Sequence, residues 1–280
     1  MWPQWTEICH TETGLALTYS KPSFRFFRAV FSEIQCFLAP ALIVALSTAI
    51  AAEAFAGAAE PYQVSLVVHG GTITGRVIAD SATPKVERFI IPKQAEICGG
   101  HYRDASLISV ESGTLRNVVV YLVDIGAGKP FRAAAKKVTI NQVGCRFAPY
   151  LSVLMNGGEL EAVNSDPVLH NIHIYEMLGQ TRSTIANVSQ PRKGDIMTMS
   201  VNLDGGSMLK IECDAHDFMR SYVFVASNPY YALAGRDGSF EITNVPPGHY
   251  AIHAWHPYLG RKTAEVEVKP NGMIELDFSY

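Results

Sequence analysis

From about residue 64 onward the chain alternates short β-branched and aromatic runs with Gly, Pro, Asn and Asp. VSLVV, TITGRVI and NVVVYLV come first, then KKVTI, LSVLM, ELEAV, HNIHIY, STIANV, DIMTMSV, MLKIE and SYVFV. SFEITNV, HYAIHAW, AEVEV and MIELDF close the series. Runs of this length, each bounded by residues suited to turns, read as strands. Outside the N-terminal segment no window holds an apolar period of 3.6 over three turns, so helices are not expected. The pattern predicts an all-β protein of antiparallel Greek-key β-sandwiches.

The one long uninterrupted apolar run is N-terminal. Lys21, Arg25 and Arg28 precede Cys36–Ala52, which carries no charge, and Ala54-Phe55-Ala56 supplies a small-x-small pattern before Gly57. A basic n-region, an apolar h-region and a small-residue exit make a secretory signal, so 1–56 is read as a signal peptide and the rest as periplasmic or secreted. The alternative is an uncleaved anchor, because the run approaches the ~20 residues of a membrane span. Pro40 and the small-residue exit favour cleavage, after which no membrane span is expected.

Composition changes the picture little. A hydrophobic fraction of 48%, a charged fraction of 18% and a net charge of −3 describe a globular chain with no electrostatic case for nucleic acid. The cysteines are more telling. Cys9 and Cys36 lie in the targeting segment, leaving Cys98, Cys145 and Cys213. In an oxidising compartment three thiols make one pair and one thiol with another task, or an intermolecular bond.

Two resemblances organise the strands. The stretch 136–227 has a Phe-x-Pro corner (Phe147-Ala148-Pro149), a Gly-rich turn (Asn156-Gly157-Gly158), an Asn-x-Asp strand end (Asn164 to Asp166) and a His-bearing strand. It ends in MLKIECDAHDFMRSYVFVAS. In these features it resembles the cupredoxin family of plastocyanin-like blue-copper proteins. The C-terminal stretch has Asp237-Gly238, Phe240, Pro246-Pro247-Gly248 and Tyr250, and Ile73-Thr74-Gly75-Arg76-Val77 lies far upstream. These resemble the carboxypeptidase-regulatory, transthyretin-like domain. The expectation is a nested arrangement, with 64–132 and 228–280 forming one sandwich around an inserted 136–227. Three segments in series are the alternative.

A copper site with one thiolate uses a soft sulfur, two imidazoles and often a weak axial thioether. Cys213-Asp214-Ala215-His216-Asp217-Phe218-Met219 offers three of these on one loop, and His170 stands where the cupredoxin resemblance implies the second imidazole. The resemblance thus implies one copper ion held by His170, Cys213, His216 and Met219, with Asn171 tying the two ligand loops together. It also implies that His216 reaches the surface through an apolar patch as the electron port. Small blue-copper proteins generally have a longer gap between loop His and Met. His-x2-Met is closer to cytochrome oxidase subunit two, whose dinuclear site needs a second loop cysteine that is absent here. This leaves open whether Met219 is a close ligand, a distant one or a packing residue. With Cys213 assigned to the metal, Cys98 and Cys145 are expected to form a disulfide worth roughly 2–4 kcal/mol.

The competing readings are plainer. A buried cysteine is commonly a small hydrophobe, and a cupredoxin fold that has lost its metal would keep the same strands. His173 lies three residues after His170, so strand alternation turns it to the opposite face. His249, His253 and His256 read as exposed or capping histidines on a sandwich edge, with a second metal site as the alternative. No hydrolase elbow or metalloprotease helix is present, so an enzyme is not expected. Three functions fit: electron transfer with a periplasmic c-type cytochrome or dehydrogenase as partner, copper delivery or storage, and a metal-free binding or scaffolding module. The last would use sandwich edges and the Asn228-Pro229-Tyr230-Tyr231 segment.

Overall fold

The computed structural model of the protein describes residues 61–204 and 206–280; the expected signal peptide lies outside the described residues. These residues are nearly all β, and no helix among them is long and apolar enough to cross a membrane. Residues 137–226 build two facing sheets. One has the order Phe147–Ala148, Lys137–Gln142, Glu159–Asn164, Ile196–Ser200. The other runs Leu151–Met155, Arg220–Ala226, Met208–Glu212, His170–Leu178, Thr181–Gln190.

Strand alternation sets the layer between them. In Glu159–Asn164 every second side chain is buried, which sends Leu160 and Ala162 inward beside Ile140, Leu154, Ile172, Leu209 and Val223. The chain crosses to the opposite sheet at Leu151–Met155 and returns, so Glu159–Asn164 lies parallel to Lys137–Gln142 while most other ladders are antiparallel.

A second core gathers strands from both ends of the described chain. Gly71–Ile78 pairs with Ser239–Val245, placing Ile73 opposite Ile242, and Val119–Leu122 pairs with Gly248–His256. Ile73, Val77, Leu115, Ile242, Ile252 and Phe278 pack together between these sheets. Gly75 sits where the C-terminal segment crosses its strand: a Cβ there would stand 1.7 Å from the Leu276 carbonyl oxygen, so the position admits no side chain. Met208, Phe224 and Ala226 pack on Val119 and Tyr121, whose ring lies 4.5 Å from that of Phe224. Arg220–Ala226 is consequently covered on both faces and reads as a continuous buried run rather than an alternating one.

Two features depart from the sequence reading. VSLVV does not form a strand beyond Gln63–Val64, and Leu66 is 88% exposed. Strand propensity reports fit to a pleated surface, and no neighbouring strand accepts this segment. Lys85–Ile90 and Tyr102–Ile108 instead form a hairpin in a sheet of their own. Its tip carries the one-turn helix Ala95–Cys98, too short to show a period, and buries Ile91 and Cys98 in the first core.

His256 makes a pH prediction for this scaffold. It is fully buried, its Nδ1 accepts the backbone N–H groups of Tyr258 and Leu259 at 3.0 and 3.1 Å, and burial lowers its pKa to about 4. Unfolded histidine titrates near 6.5, so above that pH the group is neutral in both states and costs nothing. Below it the unfolded chain takes up a proton that the fold refuses, and stability falls by roughly 2 kcal/mol by pH 5. Urea titrations at pH 8 and pH 5 should show this loss, largely abolished in His256→Gln; an equal loss in the variant contradicts the assignment.

Candidate metal centre

The loop after Met208–Glu212 is wound by two successive turns. The His216 N–H donates to the Cys213 carbonyl at 3.2 Å, and the Met219 N–H donates to the His216 carbonyl at 2.9 Å. Each turn brings residues three apart close together, and in the first of them Cys213 Sγ comes within 3.7 Å of His216 Nδ1. The opposite loop is shaped by Asn164, whose Oδ1 accepts the Asp166 N–H and whose Nδ2 donates to the Val168 carbonyl. This delivers His170 at the start of its strand.

The three donors meet in a buried triangle. His170 Nδ1 lies 3.1 Å from His216 Nδ1, while Cys213 Sγ lies 3.9 Å from the first and 3.7 Å from the second. The circle through these atoms has a radius of about 2.1 Å, which is the bond length, roughly 2.0–2.3 Å, from a first-row metal ion to imidazole nitrogen or thiolate sulfur. His170, Cys213 and His216 therefore form a group that can hold one metal ion. Met219 is buried in the same core cluster as Cys213 and Phe218.

Both rings are anchored through their other nitrogen, which leaves Nδ1 for a metal. His170 Nε2 lies 3.0 Å from Asp166 Oδ2, and His216 Nε2 lies 3.0 Å from Gln94 Oε1. Asp166 also accepts the Gly144 and Cys145 N–H groups, each at 2.7 Å. Burial pushes its carboxyl up, but the bonds from Cys145, His170 and Gly144 outweigh this and hold it below the usual carboxylate range. Burial lowers His170 against the pull of Asp166, and lowers His216, to which His170 and Arg103 add. Burial likewise raises the Cys213 thiol. All three donors thus favour their neutral forms without a cation, and a metal ion held there would take Cys213 as the thiolate, displacing its proton.

Asn171 joins the two loops. Its Oδ1 accepts the Asp214 N–H at 2.6 Å, its Nδ2 donates to Asp214 Oδ2 at 2.9 Å, and its backbone N–H points at Cys213 Sγ from 3.5 Å. Cys98 and Cys145 form a disulfide, and among the described residues Cys213 is the cysteine left as a thiol. His173 stands apart from the triangle: its Nδ1 lies 2.9 Å from Asp214 Oδ1, and its ring stacks on Tyr175. His253 and His256 lie in the second sandwich.

Two contacts were missed from the sequence. Asp166 was visible as part of an Asn-x-Asp strand end, and its position four residues before His170 could have marked it as the ring's partner. Gln94 had no signal, being 122 positions from His216. His216 is 6% exposed, and its outward nitrogen meets the Gln94 amide at the back of a cleft of about 620 Å³ between hairpin tip and ligand loop.

No protein-family model matches the chain, and no curated protein matches it. Solved structures similar to it include the Cu-containing nitrite reductase of Thermus scotoductus SA-01, at 19% identity and TM-score 0.27 over 38% of this chain and 25% of that one. The matched region thus spans about a quarter of the reductase. A purple cupredoxin from Nitrosopumilus maritimus is 19% identical over 32% of this chain and 98% of its own, with TM-score 0.27. The reduced Cu(I) form of an amicyanin mutant at pH 4 is 17% identical over 38% of this chain and 98% of its own, again with TM-score 0.27.

Proposed function

We propose that this chain is an exported electron carrier that holds one copper ion through His170, Cys213 and His216, with Met219 as the weak axial donor. The observation that carries the reading is the triangle of two imidazole nitrogens and one thiol sulfur, 3.1 to 3.9 Å on an edge and formed by buried residues. A thiolate with two imidazoles is the donor set of mononuclear electron-transfer copper. Copper bound there would supply a one-electron couple between Cu(I) and Cu(II).

The chain's own residues hold the donors in one geometry. Asp166 and Gln94 lock the two rings, and Asn171 fixes the spacing of the loops, so little has to move when charge arrives or leaves. Ligands so tied suit a resident ion better than a transferred one, which favours electron transfer over copper delivery. The partner on this reading is a periplasmic c-type cytochrome or a dehydrogenase. The segments 64–132, apart from the hairpin at 85–108, and 228–280 would form one transthyretin-like sandwich carrying the inserted copper domain.

Adding Cu(II) to the purified chain without its first 56 residues tests the reading. An intense visible thiolate-to-copper band, bleached by ascorbate and restored by ferricyanide through several cycles, is the expected result. Weak d–d absorption alone, or loss of copper on the first reduction, would overturn it.

A further inference from the structure

The ligand loop does not close its own metal centre. The outer nitrogen of His216 is met by Gln94, which belongs to the tip of the separate hairpin and lies 3.0 Å away. Gln94 takes a left-handed backbone, φ 59° and ψ 34°, a conformation that favours glycine and in which a glutamine is strained. Its carbonyl accepts the N–H groups of Ile97 and Cys98 at 3.0 and 2.9 Å, so the turn that aims its side chain ends at the disulfide cysteine.

The disulfide connects this support to the one behind the other histidine. Cys98 is bonded to Cys145, and the Cys145 N–H donates to the same Asp166 oxygen that faces His170 Nε2. The disulfide thus links the two supports, through the Gln94–Cys98 turn on one side and the hydrogen bond from the Cys145 N–H to Asp166 on the other. Arg103, on the returning strand of the hairpin, donates to the carbonyls of Gly144, Cys145 and Cys98 and lies over the Phe218 ring. Phe89 packs near Phe218 from the other strand. The outgoing strand Lys85–Ile90 is largely solvent-exposed, while Ile91 and Cys98 at the hairpin tip are buried in the core that contains Cys213.

We infer that Gln94 is a positioning residue for His216, and that the hairpin tip, locked by Cys98–Cys145, is the lid that retains the metal ion. The lid's task rests on the reading of a copper centre; the Gln94–His216 contact does not. Gln94 pins the His216 ring through Nε2 and keeps Nδ1 on the triangle, and the disulfide holds Gln94 at that station. Without either, the His216 ring is free to turn toward the cleft and water reaches the donors.

The first measurement needs no copper. In the metal-free protein, ¹⁵N relaxation of the His216 imidazole should report a ring held in one orientation; Gln94→Ala should give a mobile ring, and Gln94→Glu, which keeps a partner for Nε2, should restore the held form. An unchanged ring mobility in Gln94→Ala overturns the positioning role, whatever metal the centre takes. The second measurement follows Cu(I) transfer from the loaded protein to bathocuproine disulfonate. Gln94→Gly should release copper at least about tenfold faster, the scale on which groups behind a metal ligand act. Its thermal midpoint should hold or rise, because glycine relieves the backbone; a merely structural residue would lose both together. The Cys98→Ser/Cys145→Ser variant should release copper equally fast, and combining it with Gln94→Gly should add little, since both changes open one lid. Release within twofold of the parent in Gln94→Gly overturns the lid. Parent-like release in the double serine variant overturns the lock. Absence of any thiolate band in the parent overturns the copper reading and leaves the relaxation result to decide Gln94.

Discussion

Cys213→Ser is expected to abolish the thiolate-to-copper band completely while leaving a folded protein. The charge transfer originates on a soft, polarizable sulfur, and a serine oxygen supplies neither the softness nor the negative charge. Burial already raises the pKa of the Cys213 thiol. A hydroxyl in the same desolvated position ionises far less readily still, so the bound ion would be left with two imidazoles. The fold tolerates the change because the volumes are similar and the Asn171 N–H, now 3.5 Å from the sulfur, can donate to the new oxygen. Visible absorption after Cu(II) addition, with near-ultraviolet circular dichroism to verify packing, checks both halves. Met219→Leu is the control: it nearly preserves volume and removes only a weak axial donor, so the band should persist with a shifted potential. A band that survives in Cys213→Ser would place the sulfur ligand elsewhere and sink the site.

The second large effect falls on a residue outside the donor triangle. Asp166 is 5% exposed and receives the Gly144 N–H, the Cys145 N–H and His170 Nε2 within 3.0 Å. Asp166→Ala strands all three groups in a buried place, at roughly 1–3 kcal/mol for each that finds no water. The expected outcome is a loss of about 3–5 kcal/mol in unfolding free energy and about 10–100-fold weaker copper binding through a loosened His170. Asp166→Asn separates the two effects. It keeps the shape, but an amide offers one acceptor oxygen where the carboxylate offers two, so one donor must face its NH2 group. Stability should fall less than in the alanine variant, with most of the affinity loss retained. Urea unfolding and competition titration with a copper chelator make the comparison. Parent-like affinity in both variants would show that His170 needs no anchor. Because its bonds hold the Asp166 carboxyl below the usual range, its contribution is present above pH ~4 and is lost as acid protonates it.

The residues differ in how far they could be read without coordinates. The period-2 pattern of ELEAV and the turn residues on either side are enough to make Glu159–Asn164 a strand with one buried face. The same reading failed for VSLVV, where the composition is right but pairing ends after Val64, which lies opposite Gly128. It also overlooked Lys85–Ile90 and Tyr102–Ile108, whose mixed charged and apolar residues show little alternation. At the centre, Cys213, His216 and Met219 were legible together because a pair of turns is a local event, encoded within seven residues. His170 was legible through a resemblance rather than through any spacing, since its strand could pair in several registers.

Local chemistry therefore determined the all-β class, the strand runs of the two sandwiches and the composition of the ligand loop. Each depends on neighbours a few positions apart, where period, turn type and side-chain volume act directly. The tertiary structure decided which strands sit between two covered faces, that the histidine rings present Nδ1 inward, and that the outward edge of His216 ends on Gln94 rather than in open solvent. Those outcomes depend on contacts across 46 positions between the two rings and 122 between His216 and Gln94. No local pattern specifies such pairs, because they are selected by the packing of the whole core and by the disulfide that fixes the hairpin tip against it.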